Sequence, residues 1–241
     1  MISNKTLCTL QFAYGNKTPE ENFETLANLI RQTPKDAIVL APELCLSGYA
    51  YENMSLVAEF STNALPSILE LSQGRTIAFT LIERVKDGYI NSFKIFHDGA
   101  IIQSRPKAKL FSLGMENDFF IEGKSSDIQI VNIDGIKIAS LVCFELRFIE
   151  LWQQIKGADI ILVPAYWGLP RKEQLQILST ALAVANQAFV VVSNSQDALM
   201  ASSSAIISPF GKVFSDDSKN IIEYNADLKE VEKMRKYITL G

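Results

Sequence analysis

A chain of 241 residues, 48% hydrophobic and 21% charged, has enough apolar material for one large α/β domain and is too well balanced for a disordered protein. Its net charge of −4 offers no basic field to a phosphate backbone, which argues against nucleic acid as a partner. No apolar run approaches the ~18 residues needed to span a bilayer, and three cysteines at unrelated spacings, Cys8, Cys45 and Cys143, make no disulfide framework. The expectation is a reduced, cytoplasmic protein folded as a single domain over residues 1–241.

The start, Met1-Ile2-Ser3-Asn4-Lys5, lacks the apolar stretch of a signal peptide and leads into an extended apolar segment, Leu7 to Tyr14. Thr18-Pro19-Glu20-Glu21 combines an N-cap, a proline at the first helical position and a capping-box glutamate. Phe23, Leu26, Ala27 and Ile30 follow at helical spacing. Ala37 to Leu40 is a short apolar strand closed by Ala41-Pro42-Glu43. Arg75 to Arg84, Tyr89 to His97 and Ala100 to Arg105 read as strands joined at Asp87-Gly88 and Asp98-Gly99, both hairpin signals. Asp127 to Ile133 and Ile136 to Cys143 form a further pair around Asp134-Gly135. Helices are expected over Phe148 to Lys156, Arg171 to Asn186 and Asp227 to Lys236. Strands are expected at Ile160 to Val163, Phe189 to Val192 and Ala205 to Ser208. This interleaving predicts an α/β fold: an α-β-β-α sandwich, with two mixed sheets packed face to face and covered by helices.

Chemistry in such folds gathers where strands end and loops begin. Three places qualify: Pro42-Glu43 after an apolar strand, Arg105-Pro106-Lys107-Ala108-Lys109, and Val142-Cys143-Phe144-Glu145-Leu146-Arg147-Phe148. A cysteine nucleophile usually relies on histidine. The single histidine, His97, stands at a hairpin turn and reads as a solvated turn residue. Cys143 would therefore need a carboxylate base, and Glu43 is a candidate. A glutamate in an enclosed apolar site can take a thiol proton and return it to a leaving amine. A nearby lysine ammonium would then favour the thiolate and hold an oxyanion. Periodicity does not separate Lys107 from Lys109, because residues two apart on an extended backbone face the same side. Gly123-Lys124-Ser125 lacks the leading glycine of a phosphate loop, since Asp118 occupies that position. No Cys-x-x-Cys or His-x-x-x-His spacing marks a metal site, so neither metal nor organic cofactor is expected.

These segments, in this order, resemble the nitrilase (carbon–nitrogen hydrolase) superfamily. The likeness lies in Pro42-Glu43, Lys107-Ala108-Lys109-Leu110-Phe111 and Cys143-Phe144-Glu145-Leu146-Arg147-Phe148. Glu116 with Phe120 and Gly123, Pro164-Ala165-Tyr166-Trp167, Asn186 to Val191 and Ser203 to Gly211 extend it over almost the whole chain. The resemblance implies a catalytic set of Glu43, Lys107 and Cys143, with the lysine three residues before the leucine. Glu116 and the backbone N–H of Phe144 are implied as supporting groups, and Tyr49, Tyr166 and Trp167 as pocket walls. The implied reaction is hydrolysis of a small-molecule carbon–nitrogen bond, amidase-type, through a thioester on Cys143. A nitrilase or an acyltransferase would use the same thioester, and a catalytically idle interaction protein could keep the same fold. A homodimer is also implied, two-fold pairs being the commonest oligomers. The chain departs from the pattern at Ala185, Ile149, Glu145 and Lys109, where glutamate, proline, aspartate and histidine are common in the family.

Overall fold

The computed structural model describes residues 4–239, so the expectation for Met1 to Ser3 lies outside it. Twelve strands among the described residues form two six-stranded sheets. The first has the order β12 (Ile221–Asp227), β1 (Asn4–Leu10), β2 (Ile38–Leu40), β3 (Thr76–Val85), β4 (Gly88–His97), β5 (Ala100–Pro106). Its centre, β1 to β3, is parallel, and its flanking pairs are antiparallel. The second has the order β11 (Val213–Ser215), β10 (Ala205–Ile207), β9 (Phe189–Ser193), β8 (Ile160–Pro164), β7 (Ile136–Ser140), β6 (Val131–Ile133). It repeats the plan, with β7 to β9 parallel and antiparallel flanks.

Alternation along the strands decides what each face meets. Leu7, Ile38, Leu40, Ala78, Phe93 and Ile95 of the first sheet share one core with Ile138, Leu162 and Val190 of the second. The intervening residues, Cys8, Leu10, Val39, Ile77 and Phe79, point the other way and pack with Leu26 and Ile30 of helix α1 (Pro19–Gln32) and Ala64 and Ile68 of helix α2 (Met54–Leu71). Each fully buried leucine or isoleucine contributes about 1.5–3 kcal/mol to holding these layers together. Two side-chain bonds stitch the sheets directly: Thr9 Oγ1 donates to the Val192 carbonyl at 2.6 Å, and Ser193 Oγ to the Leu10 carbonyl at 2.5 Å. Helices α4 (Ile149–Gln154) and α5 (Lys172–Asn186) cover the second sheet through Leu151, Trp152, Leu175, Leu182 and Ala183. Helices α3 (Glu116–Phe119) and α6 (Lys229–Tyr237) complete the set among the described residues. The sandwich is the expected one.

Local chemistry explains the boundaries. Thr18 and Glu21 form the reciprocal capping box at the start of α1, with bonds of 3.2 and 2.8 Å. The Asp-Gly pairs do turn the hairpins: Gly88, Gly99 and Gly135 all have positive φ. Two differences from the sequence reading stand out. The 18-residue α2 occupies a stretch for which no element was expected, and it carries Pro66 inside. Strand β7 ends at Ser140 rather than running to Cys143, which instead sits in a tight turn.

Candidate active site

The C-terminal ends of β2, β5, β7 and β8 converge, bringing together loops from both sheets. After β2 the chain is held by Ala41 N–H to the Ala78 carbonyl at 2.9 Å, and by Glu43 N–H to Ala165 of the second sheet at 3.3 Å. Tyr14 Oη donates to the Glu43 carbonyl at 2.6 Å, and Leu44 N–H donates to Thr80 Oγ1 at 2.8 Å. These bonds leave the Glu43 side chain fully enclosed.

Lys107 follows β5 and is gripped through its backbone on both sides. Its N–H reaches the Asn91 carbonyl at 2.8 Å, and its carbonyl accepts from Gly123 N–H at 2.8 Å. A side chain at Gly123 would start 2.8 Å from the Pro106 carbonyl oxygen, so only glycine permits this approach. The Lys107 ammonium, also fully enclosed, lies 2.8 Å from Glu43 Oε1 and 2.8 Å from Glu116 Oε1. Asn91 Nδ2 adds a second bond to Glu43 Oε1 at 2.9 Å, and Tyr49 Oη donates to Glu116 Oε1 at 2.9 Å. The remaining oxygens, Glu43 Oε2 and Glu116 Oε2, are buried and have no protein partner. Burial opposes the lysine's charge, but Glu43, Cys143 and Glu116 outweigh it and hold Lys107 above the ordinary lysine range. Burial pushes Glu116 above the ordinary carboxylate range, against the pull of Lys107.

Cys143 stands at the other side of this cluster with φ +49°, a left-handed conformation that few non-glycine residues adopt. Burial raises its thiol well above the usual range, the charge of Glu43 raises it further, and Lys107 opposes both. The turn thus sets the thiol within electrostatic reach of Glu43 and Lys107. Cys8 and Cys45 are also free and buried, each within the layer between the first sheet and its helices.

Above the thiol opens a pocket walled by Phe111, Phe144, Tyr166 and Trp167. An adjoining cavity of about 210 Å³ reaches Tyr49, Tyr51 and Glu116 and shares Cys143 and Tyr166 with it. All three expected wall residues, Tyr49, Tyr166 and Trp167, are therefore at the site, and so are Glu43, Lys107, Glu116, Cys143 and Phe144. The sequence reading missed two arginines. Arg147 lies 4.5 Å above the Trp167 ring and Arg171 5.3 Å above Phe111, both lining the pocket. Among the described residues neither has an ion-pair partner. Burial, then the charge of Arg171, pulls Arg147 below the ordinary arginine range. Asn91 was missed as well, since an asparagine inside a strand pattern carries no signal. Lys109 turns away to the Phe148 ring, 5.1 Å off. His97 takes no part in the cluster: its polar contacts are Thr76 at 3.0 Å and Asp134 at 3.5 Å. Among the described residues no three His, Cys, Asp or Glu side chains are gathered to hold a metal ion, and the cation between the two carboxylates is Lys107 itself.

The carbon–nitrogen hydrolase family model matches residues 7–236. A 2-oxoglutaramate amidase of Bacillus subtilis is 29% identical over 247 residues, covering 97% of this chain and 95% of the relative. A carbon–nitrogen hydrolase of Helicobacter pylori superposes with a TM-score of 0.87 at 21% identity, covering 97% of this chain and 93% of that one. An amidase mutant from Nesterenkonia superposes with a TM-score of 0.84 at 18% identity, covering 97% of each chain. That structure shows covalent addition of the acetamide moiety of fluoroacetamide at its active-site cysteine. With the two mixed sheets and a match that runs almost from end to end, this chain belongs to the carbon–nitrogen hydrolase family.

Proposed function

We propose that the protein hydrolyses a small carboxylate-bearing amide through a thioester on Cys143, with Glu43 as base and Lys107 as oxyanion partner. The observation that carries this reading is the buried Lys107 ammonium shared by Glu43 and Glu116, with Cys143 lining the adjoining pocket. Glu43 Oε2, free of other bonds, takes the Cys143 proton as sulfur attacks the amide carbon. The oxygen gains negative charge and is held by Lys107 and by the Phe144 backbone N–H. As the tetrahedral adduct collapses the C–N bond breaks, and Glu43 returns the proton to the leaving nitrogen, releasing ammonia. Water then attacks the thioester and gives up a proton to Glu43, with Glu116 beside it. The C–S bond breaks, the carboxylic acid departs and the thiol regains its proton.

The two pocket guanidinium groups lack an ion-pair partner among the described residues, Arg147 donating only to Gln174 Oε1 at 2.5 Å, and this supports a substrate with a carboxylate at its far end. The name of the Bacillus relative fits that chemistry. Short ω-amides of dicarboxylates, N-carbamoyl amino acids and plain aliphatic amides should be screened against the purified protein. The reading expects turnover of the first group and a Cys143-linked acyl mass in rapidly quenched samples. Unchanged turnover in Cys143→Ala would overturn it.

The reading extends to a dimer. Ile177, Ala181 and Val184 form an exposed apolar stripe along α5, next to exposed Phe210 and Val213. A second copy of the chain, bringing the same stripe, is the natural cover.

A further inference from the structure

Arg105 and Glu145 make a second buried ion pair one step behind the site, and the proposed mechanism gives it no task. Both side chains are essentially inaccessible, with 2% and 0% exposure. The pairing is two-pronged, Nη1 to Oε1 at 2.9 Å and Nη2 to Oε2 at 2.8 Å. The guanidinium also reaches Ser140 through Nη2 and Nε, at 3.1 to 3.3 Å. Each carboxylate oxygen accepts one more bond, and both come from backbone beside a site residue. Oε1 takes the N–H of Ala108, immediately after Lys107, at 2.6 Å. Oε2 takes the N–H of Val142, immediately before Cys143, at 2.7 Å.

Stability alone gives a poor account of such a pair. Desolvating two charges costs several kcal/mol, and well-packed apolar replacements of buried pairs are often as stable or more so. A positional role does account for it. Cys143 is held at φ +49°, and a non-glycine residue persists there only where its surroundings fix it. Glu145 closes the turn around it twice, with its own N–H on the Val142 carbonyl at 2.9 Å and its carboxylate on the Val142 N–H. The same carboxylate, through Arg105 and Ala108, brackets Lys107 from both sides.

We infer that the Arg105–Glu145 pair is a positioning unit that sets the Cys143 sulfur relative to the Lys107 ammonium. The inference rests on the roles proposed above for those two residues. The Glu145 side chain reaches from the cysteine turn to Arg105 and Ala108 together.

The test uses Glu145→Asp, Glu145→Gln and Arg105→Lys in the full chain. Two probes are read: hydrolysis of succinamate, the monoamide of a four-carbon dicarboxylate, and alkylation of Cys143 by iodoacetamide followed by intact mass. If the wild type does not turn over succinamate, the first ω-amide found active in the screen replaces it, and the alkylation arm stands on its own. Misplacement of reacting groups by about 1 Å typically costs on the order of a hundredfold. The expected result is therefore a loss of roughly ten- to a hundredfold in kcat with KM little changed, and a matching fall in alkylation rate, in protein with a native circular dichroism spectrum. Glu145→Asp should rescue neither probe. A purely structural pair would lower the melting temperature and leave both rates per folded molecule at the wild-type level, which overturns the inference. If a glutamate variant does not fold, Arg105→Lys is read alone by the same criteria. If no variant folds, the pair is a folding element and the inference falls. Failure of the thioester reading would show elsewhere, as activity surviving in Cys143→Ala.

Discussion

At the Lys107 ammonium two buried carboxylates share one cation. Replacing Lys107 by Met removes the proposed oxyanion donor and leaves Glu43 and Glu116 facing each other. Losing one such donor typically costs about a hundred- to a thousandfold in kcat, and Lys107→Met should lose at least that much with the fold intact by circular dichroism. Lys109→Met should cost far less, because its ammonium rests on the Phe148 ring. The reverse order of the two variants would pass the oxyanion role to Lys109. Asn91 belongs to the same scale. Its amide is one of two donors on Glu43 Oε1, and its carbonyl holds the Lys107 backbone. Asn91→Ala removes the amide donor on Glu43 and should lower kcat in steady-state assays, with the fold intact by circular dichroism. The expectation that Glu43, Lys107 and Cys143 act together came from the resemblance of three loop segments to one family, since periodicity alone left Lys107 and Lys109 unseparated. Asn91, Arg147 and Arg171 were not legible, since their positions follow from how distant loops meet.

At the scale of elements, punctuation was readable and closure was not. The capping box of Thr18 and Glu21 and the three Asp-Gly turns act through neighbours in sequence, so α1 and the hairpins could be drawn beforehand. Helix α2 could not: Pro66 argues against a helix interior, and no side chain caps its start, yet Val57, Ala64 and Ile68 find buried places that outweigh the local cost. Strand β12 pairs with β1, more than two hundred residues away in sequence, and only that pairing reveals it. The early end of β7 is a different case, since a regular strand through Cys143 would give up the left-handed turn that holds it. Gly123 offers a test of how tightly elements fix the site. A methyl group there meets the Pro106 carbonyl oxygen at 2.8 Å. Gly123→Ala should destabilise by about 1–3 kcal/mol, the usual cost of overpacking. It should also lower kcat by displacing Lys107, both measurable by thermal melts and steady-state rates.

Across the whole molecule, buried acids that keep their protons make the fold sensitive to alkali. Burial pushes Cys8 up to about 12 from an ordinary value of 9.0, and Cys45 is raised by the same cause. A group whose folded value is raised contributes its full share below the unfolded value and loses it as pH climbs toward the folded one. Between about pH 9 and 12 each such thiol should withdraw about 1.4 kcal/mol per pH unit. The melting temperature should fall steeply in that window, and less steeply in Cys8→Ala. The α5 stripe sets the second whole-molecule expectation. Light scattering at micromolar concentration should give twice the 26.8 kDa chain mass, and Ile177→Glu should return it to one.

Glu43 and Lys107 ride on the first sheet and Cys143 on the second, so the distance spanned by the proposed proton transfer is also the registration between two slabs. Turnover then works as a gauge of slip. Any agent that lets the layers slide by a fraction of a bond length, such as mild pressure, low denaturant or a hole at Ile138, is expected to silence the enzyme first. Circular dichroism, which responds to the presence of the layers and not to their alignment, should change only later.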